Sequence, residues 1–277
     1  MSDNPTQTAR RARGRPRDWH DKTAQNTIKS LDRAMQVFEY LSAAQGKALT
    51  TIADEMDQSP ATVYRILVTL EGRGLVEFDP HEQLWHIGPQ AFVIGARFLR
   101  RTGLVERARP IMRRLMEATG ETANLGIAQD GRVMFVSQVE THASIRAFFP
   151  PGTLSEMHAS GIGKALLAQM DEDRFARWMD GRTLEDFTKF TLTSPDALTA
   201  DLTRTRARGF AIDGEERNLG MRCIAAPIFD SHQEAVAGIS VSGPVSRVGP
   251  DDVARFSEHV KDAAAELTHA IGGSTSA

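Results

Sequence analysis

Apolar positions first take on a helical rhythm after Ser30, where Leu31, Ala34, Met35, Phe38 and Leu41 recur at three- and four-residue spacing. Ser30 stands where an N-cap belongs. Gly46 interrupts the pattern, and a second, short helix is expected over 51–56 with Ile52, Ala53 and Met56 turned inward. Asp57-Gln58 reads as a tight turn. The next stretch opens Ser59-Pro60, a side-chain acceptor at the N-cap followed by the residue that loses nothing at the first helical position. Its stripe is Val63, Ile66, Leu67 and Leu70, and Gly72 and Gly74 supply a left-handed stop. Helical spacing then gives way to strand-like segments at 75–78 and 83–87 around the polar turn Asp79-Pro80-His81-Glu82. Helix, short helix, capped helix and hairpin in that order spell a winged helix-turn-helix.

A further amphipathic helix is expected over 89–101, with Phe92, Val93, Ala96 and Leu99 on one side. After Gly103, another over 104–119 carries Leu104, Ala108, Ile111, Leu115 and Met116 and stops at Gly120. These helices either pair two subunits or pack on their own domain; pairing is preferred, because a recognition helix usually needs a second half-site. From Glu121 the pattern is α+β. Strands at 122–129 and 132–139 flank Asp130-Gly131, a strong hairpin signal, and a third is expected at 144–149. Helices follow at 160–170, 171–179 and 195–208, then strands at 210–213, 222–229 and 235–242. The fold class is therefore a two-domain α+β chain, its second domain an antiparallel sheet with packed helices. The expected divisions are a disordered Arg-rich arm at 1–26, the winged helix-turn-helix at 27–88, a linker helix at 89–102 and an effector-binding domain at 103–270, with a mobile tail from Gly272.

Composition narrows this picture. With 41% hydrophobic and 25% charged residues, the chain is neither disordered nor membrane-like. No apolar run approaches the roughly 18 residues of a spanning helix. A single cysteine, Cys223, excludes an internal disulfide framework and a cysteine zinc cluster, and no metal or cofactor motif stands out. A cytoplasmic location is expected. The net charge of -3 does not itself point to nucleic acid. The segment from Arg10 to Arg17 does concentrate arginine, and its Arg13-Gly14-Arg15-Pro16 resembles an AT-hook core. Arg13 and Arg15 would then enter a narrow minor groove; otherwise the segment is a basic arm resting on phosphates.

With the stripe of the third helix buried, Ala61, Thr62, Tyr64, Arg65 and Thr69 remain to face DNA. Arg65 can reach a guanine bidentately, Thr62 a base or phosphate, and Ala61 a thymine methyl. Arg73 and the wing residues His81 and Gln83 are candidates for backbone contacts.

These segments resemble the IclR-type transcriptional regulators. The markers are Leu31-Asp32-Arg33-Ala34, Ile52-Ala53, the run from Thr62 to Leu70, and Gly74-Leu75-Val76 with the hairpin into Ile87-Gly88. In the second half they are the run from His158 to Ala168, Arg206 to Phe210, Gly220 to Ile228, and Ala237 to Pro244. The resemblance covers roughly residues 28–265 and leaves out the Arg-rich arm. It implies a GAF-like effector domain, a homodimer or dimer of dimers, a double-stranded operator, and control by a small organic acid. Glyoxylate is the effector it implies first, with pyruvate or an aromatic or hydroxy acid as alternatives, and glyoxylate assimilation by the β-hydroxyaspartate route as the setting. Carried onto this chain, the implied pocket residues are Met157, Gly161, Ile162, Asp213, Met221, Cys223, Ile224, Ser240 and Ser242. Gly161 and Ile162 would offer helix N-terminal amides to a carboxylate, and Ser240 and Ser242, two apart on a strand, would share a face.

Two other readings compete. Cys223, His158 and Asp213 are the residue types of a nucleophilic triad, which would make the chain an enzyme. The Arg-rich arm would alternatively suit a nucleoid-type protein. The matched effector domain favours a regulator without catalysis.

Overall fold

The structure, a computed structural model, describes residues 27–274, with the side chains of 98–102 left aside. The arm with Arg13 and Arg15 lies outside the described residues. The chain divides into two compact units at Ala96/Arg97.

The first unit holds α1 (Lys29–Ser42), α2 (Leu49–Glu55), α3 (Pro60–Glu71), the hairpin β1 (Val76–Asp79) and β2 (Leu84–Ile87), and the start of α4 (Pro89–Thr102). Its core gathers Val37, Leu41, Ile52, Ala53, Val63, Leu67, Leu70, Val76 and Trp85. The α1 stripe is rotated from expectation. Val37 and Leu41 are buried, whereas Leu31 and Met35 are 56% and 41% exposed. The α2–α3 turn passes through Asp57 at φ 50, a left-handed position that a short polar side chain tolerates. Ser59 Oγ then accepts from Thr62 N at 3.2 Å, with Pro60 at the first helical position. In the wing, β1 pairs antiparallel with β2, and the Asp79 carboxylate accepts from the amides of His81 and Glu82 to shape the tip.

The second unit contains α5 (Leu104–Thr119), β3 (Thr122–Gln129), β4 (Arg132–Val139), β5 (Leu154–Glu156), α6 (Gly161–Leu167), α7 (Glu172–Met179), α8 (Pro195–Arg208), β6 (Ala211–Gly214), β7 (Met221–Phe229), β8 (Ala235–Pro244) and α9 (Pro250–Ala270). The strands form one antiparallel sheet in the order β5-β4-β3-β8-β7-β6. Asp130 at φ 50 and Gly131 at φ 77 make the expected tight β3–β4 turn.

Two expectations need correction. The segment 144–149 is irregular, and the third strand of the β3–β4 edge is β5 instead. Ile145 and Phe148 there are 69% and 63% exposed, so the β-branched and aromatic residues that suggested a strand have no sheet face to cover. The sequence reading also passed over α9. Gly249-Pro250-Asp251-Asp252 opens it, and Phe256, Val260, Ala264 and Leu267 are buried at helical spacing.

The sheet faces differ in chemistry. One packs Ala123, Leu125, Ile224, Ala226, Ile239 and Val241 against α5 and α9 in an apolar core. The other lies under α6, and its middle is polar: Asn124 and Ser240 are wholly buried and Ser242 nearly so. Burying hydroxyls and an amide where a Val or Leu would contribute about 1.5–3 kcal/mol calls for a reason other than stability.

Candidate DNA-reading surface and effector site

Helix α3 sorts the expected DNA-facing residues onto two sides. Thr62, Arg65 and Thr69 line a groove together with Ser30, Leu31 and Arg33 of α1. Tyr64 lies on the wing side with Leu49, Val68, Phe78 and Gln83, so the expectation of one shared face is corrected. The cause is rotational: Tyr64 and Val68, four apart, share one ridge, and Arg65 and Thr69 the next. Ala61, Arg65 and Arg73 are exposed. Two hydroxyls are already engaged: Thr62 Oγ1 is 2.8 Å from Ser59 Oγ, and Thr69 Oγ1 donates to the Arg65 carbonyl at 2.6 Å. Thr69 thus keeps only acceptor capacity. Gln83 donates to the Pro80 carbonyl at 2.8 Å and serves the wing tip itself. The sequence reading did not single out Arg33, which adds a second guanidinium beside Arg65.

In the second unit, register builds the polar floor. Asp213 pairs with Cys223, Cys223 with Ser242, and Ser242 with Thr122, giving one row across β6, β7, β8 and β3. The adjacent row runs Ala211, Ala225, Ser240, Asn124 and Gln138. Directly opposed residues share a face. Helix α6 fixes which face: a Cβ at Gly161 would lie 2.8 Å from Cys223 Sγ and 3.3 Å from Ala225 Cβ, so only glycine allows this approach.

The pocket residues implied by resemblance fall into three groups. Gly161, Asp213, Cys223, Ser240 and Ser242 come together on the α6 face, and Met221 joins them by strand alternation. Met157 and Ile162 contribute differently. Met157 is fully buried beneath α6, and Ile162 packs its side chain over Gly126 and Gly238, the row next to Asn124 and Ser240 on the α6 face. Ile224 does not belong: its side chain lies on the opposite face among the α5 and α9 residues, because one step along a strand reverses the face. The helix argument also shrinks. Helix α6 has seven residues, with Ser160 Oγ accepting from Gly163 N at its N-cap. Its macrodipole is correspondingly small, and its contribution is the amides of its first turn.

Electrostatics set the floor's protonation. Asp213 Oδ1 accepts from the Glu216 amide at 2.7 Å, yet burial pushes its carboxyl up to about 6. Burial likewise pushes Glu216 up to about 7, despite Lys164 Nζ at 2.6 Å. Lys164 also reaches Asp201 at 2.9 Å. Burial would raise Asp201, but Lys164, with Arg208 and Arg204, holds it below the ordinary carboxylate value. The Cys223 thiol is driven up to about 11 by burial and by Asp213, the reverse of an activated nucleophile. His158 is committed elsewhere, with Nε2 at 2.9 Å from the Glu185 carbonyl and its ring stacked on Phe187. The triad alternative therefore has neither an activated thiol nor a free base. Asn124, Gln138, Lys164 and Glu216 escaped sequence reasoning, because only strand register brings the first two to the floor and only tertiary packing the others. Among the described residues, no helix is long and apolar enough to cross a membrane.

Comparison with known proteins agrees with both units. Residues 30–80 match the model of the IclR helix-turn-helix domain, and residues 96–269 that of the bacterial transcriptional regulator IclR C-terminal domain. The chain is 54% identical over 261 residues to the HTH-type transcriptional regulator BhcR of Paracoccus denitrificans, covering 93% of this chain and 94% of that one. It is 39% identical over 253 residues to the transcriptional repressor IclR of Escherichia coli, covering 90% and 92%. The crystal structure of Thermotoga maritima IclR superposes with a TM-score of 0.76 at 26% identity, covering 89% of this chain and 100% of that one. The chain belongs to the IclR family of DNA-binding transcriptional regulators, whose C-terminal domain binds a small-molecule effector.

Proposed function

We propose that the effector of this regulator is a small 2-oxo acid, glyoxylate before pyruvate, and that it sets affinity for a DNA operator. One observation carries this reading: Ser240 Oγ is buried on the α6 face with no nitrogen or oxygen hydrogen-bond partner, only the weakly bonding Cys223 thiol beside it. Leaving a buried hydroxyl unpaired costs about 1–3 kcal/mol, which a ligand oxygen would recover. The neighbours suit such a ligand. Ser242, the first-turn amides of α6 and a carboxyl poised near 6 on Asp213 could hydrogen-bond a carboxylate and an aldehyde oxygen together. The close approach of Gly161 to Cys223 leaves little height between helix and sheet, which favours a two- or three-carbon acid over an aromatic one. Glyoxylate assimilation, with the β-hydroxyaspartate route as its setting, is the metabolic context this ligand supports.

Control follows from linkage. A ligand with unequal affinity for two arrangements of a dimer shifts the population between them, and so changes the fit of paired recognition helices to half-sites. Self-association is supported by apolar side chains exposed on the first unit: Ile28, Leu31 and Met35 around α1, and Phe92 and Ile94 on α4. The test is calorimetric titration of the full chain with glyoxylate, pyruvate, oxalate, glycolate and 4-hydroxybenzoate, repeated with Ser240→Ala. Saturable glyoxylate binding that the variant loses is expected. Binding of the aromatic acid alone, or of none, overturns the assignment of effector.

A further inference from the structure

Across β4, β3 and β8 runs a short hydrogen-bond chain that ends at Ser242 and whose other two members, Gln138 and Asn124, the effector reading does not use. Gln138 Nε2 donates to Asn124 Oδ1 at 2.9 Å, and Asn124 Nδ2 donates to Ser242 Oγ at 3.2 Å. Register explains the alignment, since Asn124 stands opposite Gln138 on β4 and opposite Ser240 on β8, with Ser242 its diagonal neighbour on the same face. Asn124 is wholly buried and Gln138 half-buried. An amide buried this deeply normally satisfies both its ends, and here it does so only by linking the sheet edge to the floor of the site.

The chain has a direction. A side-chain amide presents a carbonyl at one end and an NH₂ at the other. Once Gln138 donates to its oxygen, Asn124 must turn its nitrogen toward Ser242. The Ser242 oxygen then serves as acceptor, and its proton is left for another partner. If Asn124 were reversed, Gln138 would have to present its oxygen and Ser242 would give up its proton, so the three groups can turn only together. Ser242 is thereby held as a donor in the row that contains Cys223 and Asp213.

We propose that Asn124 and Gln138 are positioning residues of the effector site, orienting Ser242 as a hydrogen-bond donor toward a bound oxo-acid oxygen. The proposal rests on the effector reading for its ligand, but the orientation of Ser242 also has a ligand-free consequence. Cys223 is the sole cysteine of the chain, and the hydroxyls of Ser242, directly opposite it on β8, and Ser240 both lie against its thiol. A Ser242 proton free to donate stabilises the thiolate. A Ser242 proton recaptured by Asn124 does not.

The experiment uses the full chain carrying Gln138→Met, which keeps the length of the side chain and removes its donor, with and without Ser242→Ala. Two quantities are read: glyoxylate affinity by calorimetry, and the rate of Cys223 alkylation by iodoacetamide at fixed alkaline pH. Gln138→Met is expected to weaken glyoxylate binding roughly three- to tenfold and to slow alkylation by a similar factor, with a lowered thermal midpoint because one end of the buried Asn124 amide loses its partner. Both effects should vanish in the Ser242→Ala background, since the relay acts only through that hydroxyl. Equal effects in both backgrounds, or none in either, overturn the proposal. Should the parent chain bind no glyoxylate, the effector reading fails by itself, and the alkylation rates still decide whether the relay orients Ser242.

Discussion

Lys164 Nζ lies 2.6 Å from Glu216 Oε1, and the lysine side chain has no solvent exposure. The same ammonium meets Asp201 on α8 at 2.9 Å, so the cation on α6 faces carboxylates from α8 and from the loop between β6 and β7. Removing it would strand Glu216 and leave Asp201 with Arg204 alone at 3.1 Å and the more distant Arg208. Lys164→Met is expected to destabilise the second unit by about 3–5 kcal/mol, because the loss leaves uncompensated buried charge. Glu216→Gln should cost far less, since Asp201 still partners the lysine. Urea unfolding of both variants reads the difference. Equal losses would mean that the cluster acts by packing and not by charge.

If the effector binds beside Asp213 as proposed, its binding depends on pH. The Asp213 carboxyl sits at about 6 in the folded chain, raised from its ordinary value by burial. The folded state therefore holds this proton more tightly than the unfolded state. The group's contribution to stability is fullest below the ordinary carboxylate value and is lost as pH rises toward 6. An anionic ligand beside Asp213 raises its value further, so binding takes up a proton. Glyoxylate affinity should fall as pH rises through about 6, by at most roughly tenfold per unit. The other charged groups facing Asp213 are Glu216, Lys164 and Arg217. Asp213→Asn should flatten the profile, leaving any residual slope to Glu216. Calorimetry below and above the Asp213 value, in buffers of different ionisation enthalpy, counts the proton. An unchanged slope in the Asn variant would remove Asp213 from the ligand's surroundings.

The contrast between the two units explains what could be read from residues alone. In the first, local rules suffice: Ser59-Pro60 caps α3, and Asp57 and Gly74 supply left-handed turns, so the helix-turn-helix was legible as a whole. The Asp130-Gly131 hairpin was legible for the same reason. The site in the second unit was not, because it is made by register. Nothing in the spacing of Asn124, Gln138 and Ser242 says that β3 lies between β4 and β8. The family resemblance supplied Ser240, Ser242, Cys223 and Asp213, but it carried Ile224 with them, although alternation on β7 sends Ile224 to the far face. The false strand at 144–149 has the opposite cause. An apolar segment followed by Pro150-Pro151 imitates a strand end, while the pairing goes to Leu154–Glu156, where Arg132 and Glu156 meet at 2.8 Å across the ladder.

The N-cap of α3 offers a test confined to the first unit. Ser59 Oγ accepts from Thr62 N, and Ser59→Ala removes that partner from the first turn of the recognition helix. A loss of about 1 kcal/mol is expected, with Ser59→Asp restoring most of it through the same backbone bond. The readout is the urea midpoint of the transition assigned to the first unit. A shift in the second unit's transition instead would show that the two do not unfold separately.

Arg65 is the sharpest test of how α3 reads DNA. It is exposed beside Arg33 in the α1–α3 groove, and Thr69 hydrogen-bonds its carbonyl and leaves the guanidinium unengaged by that neighbour. If Arg65 meets a guanine edge, Arg65→Ala should cost about 1–3 kcal/mol of operator affinity and relax preference at one base position in each half-site. Arg33→Ala, if Arg33 meets phosphate, should weaken all sequences alike and lower the salt slope by about one. Selection of bound sites from a random library, at two salt concentrations and for both variants, separates these outcomes. An Arg65→Ala protein that selects the parental site with only a shallower salt slope would move Arg65 to the backbone and pass base reading to the Tyr64 side of the helix.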